Sequence, residues 1–376
     1  MKTKQIIFNR LKISDIQNES IGFHPNFVLI FGNRIEMEND QSFVKTIKEI
    51  YPLIDVITVS TAGTIHDDDI TNEYSATFVE LDKSKHVVKL FNYELTDDEL
   101  SLGENIAKFF NKPDLVNILL FGTIGINAEL VLKGINKNLP VHVSVSGGIA
   151  GDDDRFETTF VGLNENINTS QMVAIGFYGD SLKVNHGSKG GWINYGEEMK
   201  ITKSEGNVLY EVNNQPALKL YKELLKDKAG DLPASALLFP FTILNEETKT
   251  PIVRTVQAID DEDNSLILFG DVSENDTIQF MKADFESLIN GAYESALSST
   301  KNSTSSPELA VLVSCVGRKL VLGHQANQEI KKVKESFGKI TTVCGFYSYS
   351  ELSPVVFGEA CLLHNQTMTI TTLTEE

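Results

Sequence analysis

The chain has 376 residues, 41% hydrophobic and 23% charged, and 52 acidic against 33 basic side chains leave a formal net charge of −19. That balance repels phosphate backbones and anionic lipid and no basic stripe offsets it, so nucleic acid is excluded as a partner. No apolar run approaches the roughly 20 residues that span a bilayer, which excludes a membrane span by helix.

The length asks for two or three domains. The opening Met1-Lys2-Thr3-Lys4-Gln5 lacks the apolar core and cleavage site of a secretory leader. Cys315, Cys344 and Cys361 sit in apolar runs and form an odd set, which reads as reduced thiols in a cytoplasmic protein.

In chain order, apolar runs at 27–31, 55–59 and 116–121 predict central strands. Residues 76–81 and 87–91 flank Asp82-Lys83-Ser84-Lys85 and predict a hairpin. A helix is expected over 100–110, opened by a capping box of Thr96 and Glu99, and another over 127–135. A strand at 141–145 leads into a glycine-rich loop, Ser146-Gly147-Gly148-Ile149-Ala150-Gly151, that ends in Asp152-Asp153-Asp154. A second meander is expected from 158–163, 172–177 and 182–184.

Further on, a helix at 217–225 precedes strands at 237–241, 252–256 and 266–269. A helix over 280–297 then meets a Ser/Thr-rich loop at 298–307, and strand character resumes at 309–313. No internal repeat of fixed period stands out. Hairpins mixed with strand–helix–strand units predict an α+β architecture of layered, mixed, largely antiparallel sheets flanked by helices. A boundary near Val212 divides the chain into regions 1–212 and 213–376, interlocked because no long linker separates them.

The chemistry-bearing patterns are mostly negative. No Lys-Ser/Thr follows the glycine-rich loop and three aspartates end it, so it does not cradle phosphate. Those aspartates are adjacent, not alternating as in a calcium loop. The seven histidines show no zinc spacing, and no Gly-x-Ser-x-Gly elbow occurs. Cys315 has no identifiable base partner, so an enzyme using Cys315, or a His364–Glu351 pair, stands behind a binding protein.

The binding reading rests on three terminal segments: Ser314-Cys315-Val316-Gly317-Arg318, Gly345-Phe346-Tyr347-Ser348-Tyr349-Ser350-Glu351 and His364-Asn365-Gln366-Thr367. Varied polar residues at the ends of apolar strands are the pattern of a ligand pocket on a rigid scaffold. The candidate ligand-binding residues are Cys315, Arg318, Tyr347, Glu351, His364 and Asn365, with Trp192 from the glycine-flanked His186–Trp192 stretch. Arg318 would grip an anionic group and Glu351 a cationic one, while His364 or Asn365 orients the ligand. The alternative for Arg318 and Glu351 is a buried ion pair with each other.

Together these segments resemble the FIST family, named for F-box and intracellular signal transduction proteins. Its N-terminal pattern is similar to Gly147-Gly148-x-x-Gly151-Asp152, Val173 to Gly179, Ser188-x-Gly190-Gly191-Trp192 and Gln215-Pro216-Ala217. Its C-terminal pattern is similar to Ile252-Val253-Arg254, Gly270-Asp271-Val272 and the three terminal segments. The likeness covers about residues 25–372. Where the family commonly has Gly-Glu-Ile after its Gly-Phe-Tyr strand, this chain has Ser350-Glu351-Leu352.

The resemblance implies a cytosolic sensory input protein. It would bind a small-molecule ligand, an amino acid or related metabolite, and regulate in trans a signalling partner such as a histidine kinase. It also implies an alternative, since some members bind haem and sense nitric oxide: a haem-binding nitric oxide sensor controlling a histidine kinase or a cyclic-di-GMP enzyme, for which His364 and His186 are the candidate axial ligands in this chain, though the family pattern fixes neither.

Overall fold

The computed structural model describes residues 1–9, 16, 20–94, 98–232, 234–246, 249–301, 303, 305–355 and 358–376. Three nearly fully buried strands organise it: Phe27–Asn33, Leu115–Gly122 and Leu309–Cys315. Each pairs in parallel with a strand reached through helices: Asp55–Thr61, Ser144–Ile149 and Thr342–Ser348 respectively. Burial on both faces explains why these runs are continuously apolar and do not alternate.

After each parallel pair the chain takes the same course. It leaves its own sheet for two short strands in the sheet of another unit. Thr64–His66 and Asp69–Thr71 extend the third sheet, Val161–Leu163 and Asn166–Asn168 extend the first, and Ser350–Pro354 and Cys361–His364 extend the second. The chain then returns home, antiparallel to its unit's first strand, as Tyr74–Glu80, Gln171–Tyr178 or Met368–Glu375. Outer strands Lys2–Phe8, Lys85–Asn92 and Leu182–Lys189 complete the sheets.

Three six-stranded sheets of one strand order therefore exchange strands in a ring. Equivalent backbone bonds mark each exchange: Ala62 N–H to Tyr347 O (2.9 Å), Gly151 N–H to Ser60 O (3.0 Å) and Tyr349 N–H to Ile149 O (3.0 Å). One aromatic ring from each unit meets in the shared core. Phe31 stacks on Phe346 at 5.2 Å, and Phe121 approaches them at 6.0 and 5.8 Å.

Between Leu182–Lys189 and helix Phe285–Thr300 the third unit carries an inserted lobe, whose strands span residues 193–282. It is an eight-stranded antiparallel sheet with its own core around Leu209, Leu218, Tyr221, Phe241 and Phe280. The Val212 boundary falls at its tight turn through Asn213 and Asn214, both at positive φ. The whole is the α+β fold of layered, mixed, largely antiparallel sheets that the sequence predicts. Among the described residues no helix is long and apolar enough to cross a membrane.

Several local expectations change. The strands expected at 76–81 and 87–91 form, but in different sheets, so there is no hairpin. The Glu375 carboxylate accepts from the N–H groups of Asp82, Lys83 and Ser84 and pins the crossover instead. The second meander likewise disperses its strands over three sheets. The glycine-rich loop is strand Ser144–Ile149, where Gly147 has φ +138 and a Cβ would lie 1.8 Å from Leu120 O.

Residues 234–238 are 3₁₀ helix, followed by strand Phe241–Leu244. Strand Thr277–Lys282 occupies the start of the helix expected from 280, and helix Phe285–Thr300 takes in the first three residues of the expected loop. Helix Glu99–Phe110 is capped by Asp98, whose side chain accepts from Leu100 N–H; Thr96 lies outside the described residues.

Candidate functional site

Strand Leu309–Cys315 ends where Cys315 N–H donates to Thr367 O at 3.0 Å, and helix Val316–Leu322 turns Arg318 inward. Arg318 is fully buried and all five guanidinium N–H donors are taken. Nε and Nη2 donate to Glu329 Oε2 at 3.1 and 2.7 Å, and Nη2 also to Leu288 O at 2.8 Å. Nη1 donates to Gly190 O and, at 3.4 Å, to Gln366 O. Glu329 Oε1 in turn accepts from Tyr347 (2.7 Å) and Ser314 (3.1 Å). Arg318 is therefore paired with Glu329, not Glu351, and has no donor left for a ligand carboxylate.

Trp192 joins the same neighbourhood through Nε1–H to Gln366 O at 2.9 Å. Glu351 and His364 face each other across antiparallel strands but bond elsewhere. Glu351 accepts from Ser348 Oγ (2.9 Å) and from Thr367 N–H (3.1 Å) and Oγ1 (2.8 Å). Among the described residues it has no cation within ion-pair distance. Burial pushes its carboxyl up to about 8 against the pull of the Thr367 and Ser348 bonds.

His364 Nε2 lies 2.9 Å from Ser353 O, an acceptor only, so Nε2 carries the proton. Burial holds this ring neutral, its pKa down to about 4, and does the same to His186, whose Nε2 has no partner among the described residues. Neither histidine is among the residues lining the two cavities described below. Burial pushes the Cys315 thiol up, the opposite of what a thiolate nucleophile needs.

The other side of segment His364–Thr367 is unlike the Arg318 side. Asn365 Nδ2 donates to His364 O at 3.0 Å and Gln366 Nε2 to Leu237 O at 3.2 Å. Because both partners are carbonyls, the amide orientations follow from the bonding. Asn365 Oδ1 and Gln366 Oε1 are the ends left over, buried and without partners among the described residues, as is Thr255 Oγ1.

These three residues line one small cavity of about 10 Å³ together with Cys315 and the rings of Phe156, Phe269 and Tyr349. Phe156 stacks on Tyr349 at 4.2 Å and is held at φ +56 by its N–H bond to Asp152 Oδ1.

Phe269 and Tyr349 also border a larger cleft of about 320 Å³ between lobe and body. It opens at the C-terminal end of the parallel pair Leu115–Gly122 and Ser144–Ile149, the usual place for a ligand on such a pair. Ile126 and Ser350 stand on the body side, Asn207 and Gln257 on the lobe side. Ser350 needs no left-handed φ, so the glycine common in the family is not required by the backbone here. Beside the cleft, buried Arg254 donates to Leu363 O (3.0 Å) and pairs with Glu129 (3.3 Å), which also accepts from Asp271 N–H (2.8 Å).

The structure thus gathers Arg318, Trp192, Cys315 and Glu351 against segment His364–Thr367, which itself carries His364 and Asn365, with Tyr347 joined to Arg318 through Glu329. Sequence reasoning missed Glu329, Thr255, Gln366 and Phe156. Only Glu329 left a usable signal: it falls on the buried stripe Ala326, Glu329, Ile330, Val333 and Phe337 of helix Ala326–Phe337, where a charge needs a partner.

Comparison with known proteins identifies the family. The FIST N domain model matches residues 26–215 and the FIST C domain model residues 217–354. An uncharacterized protein of Methanocaldococcus jannaschii is 22% identical over 315 residues, covering 76% of this chain and 59% of its own length. The chain thus spans about three-fifths of that relative. With the two domain models matched in order along most of its length, the chain belongs to the FIST family.

Proposed function

We propose that this chain is a cytoplasmic sensory input protein that binds a small metabolite, an amino acid or a relative of one, in the cleft between lobe and body. In this reading it regulates a separate signalling protein, of the histidine-kinase kind, in trans. FIST domains are signal-transduction sensor domains, which supplies the general role. The observation that carries the finer reading is the position of the cleft. Its volume of about 320 Å³ suits a small ligand, and its walls belong to two parts of the molecule that meet through contacts such as Arg254–Glu129 and Gln366 Nε2–Leu237 O. An occupant touching both walls favours one lobe position over others, and only such differential contact shifts a conformational equilibrium.

Thermal unfolding against a panel of amino acids and related metabolites tests this. At least one should raise the melting temperature saturably, and Ile126→Trp, which fills the cleft, should abolish the rise. A panel without effect, or a rise that survives Ile126→Trp, overturns the cleft as the ligand site.

A further inference from the structure

We infer that the small cavity behind the cleft is a subsite for an ammonium group, either the head of a primary amine or free ammonium. The inference deepens the sensor reading and rests on it for where the rest of an organic ligand would lie.

The first argument is the inventory of the walls. Asn365 Oδ1 and Gln366 Oε1 can only accept, Thr255 Oγ1 can also accept, and all three are buried and unpartnered among the described residues. A group with three N–H donors satisfies the set at once. The volume of about 10 Å³ takes a group the size of one water and nothing larger.

The second argument separates a cation from a water. Three aromatic rings, Phe156, Phe269 and Tyr349, line the same space, and aromatic faces attract ammonium groups. The nearby cations are already neutralised, Arg318 by Glu329 and Arg254 by Glu129, so neither opposes an arriving ammonium group. A primary amine placed here would extend its carbon skeleton past Phe269 and Tyr349, which border both spaces, into the larger cleft.

Calorimetry and thermal unfolding with ammonium chloride, methylammonium chloride, amino acids and the matching α-hydroxy acids test the assignment, with sodium chloride as control. Saturable binding of amines but not of sodium or hydroxy acids is expected, and Thr255→Val should weaken it by roughly tenfold, the worth of one hydrogen bond to a charged group. Saturation by ammonium chloride alone assigns the site to the free ion; saturation only by carbon-bearing amines assigns it to a metabolite.

Hydroxy acids that bind as tightly as amino acids, or unchanged affinity in Thr255→Val, overturn the ammonium subsite while leaving the cleft reading intact. No response to any amine means a water only, and the proposal falls. If Thr255→Val fails to fold, Phe269→Leu takes its place with the same expected loss.

Discussion

Segment His364–Thr367 runs between two polar clusters that are equally buried and differently finished. On the Arg318 side all five guanidinium donors find acceptors, and Glu329 collects two hydroxyls besides. On the Thr255 side three buried oxygens, on residues that line a small cavity, have no partner among the described residues. Folding tolerates buried polar groups when they are paired, so a closed cluster speaks for architecture. An open one of similar burial speaks for something that arrives later. Arg318, the most conspicuous residue of the terminal segments, is on the closed side; the less conspicuous Thr255 and Gln366 are on the open side.

The contrast can be broken most forcefully at Arg318. Arg318→Met strands Glu329 as a buried, uncompensated carboxylate and should cost about 3–5 kcal/mol in denaturant unfolding at neutral pH. A loss below about 1 kcal/mol would show that the cluster is not closed in solution.

Glu351 gives the next largest effect. Its folded pKa of about 8 lies above the unfolded 4.5, so between those values the native state holds a proton that the unfolded state has released. Stability from this group is present below pH 4.5 and is lost as pH rises toward 8, by on the order of a few kcal/mol at 1.36 per pH unit. Glu351→Gln should therefore gain on the wild type steadily from pH 5 to pH 8. His364 acts in the opposite direction: its folded pKa is depressed to about 4, so its contribution is lost as pH falls from 6.5. The wild-type-minus-variant difference isolates Glu351, and a flat difference would refute the assignment.

The smallest effect belongs to the open side. Without ligand, Thr255→Val removes an unpartnered hydroxyl at nearly constant shape and should change stability by no more than about 1 kcal/mol, toward stabilisation. A loss above about 2 kcal/mol would mean that the hydroxyl already has an internal partner, and the distinction between the clusters would collapse.

Much of this could be read from residues alone, and the failures have physical causes. The parallel strands announce themselves as apolar runs because both of their faces are covered. Which sheet a strand joins is invisible to local pattern: Tyr74–Glu80 and Lys85–Asn92 read as a hairpin, yet the bonds that part them come from Glu375 at the far end of the chain. The threefold plan hides because the units share topology, and the lobe inserted in the third spoils any fixed spacing. Thr255 reads as mid-strand, although it occupies the break between Pro251–Arg254 and Val256–Asp260. Gln366, at φ +60, turns its side chain toward the lobe for reasons that only the fold supplies.

The ring of exchanged strands also sets an order for birth on the ribosome. Thr64–His66 is made early but pairs with Thr342–Ser348, so its partner emerges only much later in synthesis. The edge of the first sheet waits for Val161–Leu163, and that of the second for Ser350–Pro354. Until then each sheet presents an open edge of the kind that recruits foreign strands. The same pairings that lock the finished ring therefore leave its sheet edges uncovered for longest while the chain is still being made.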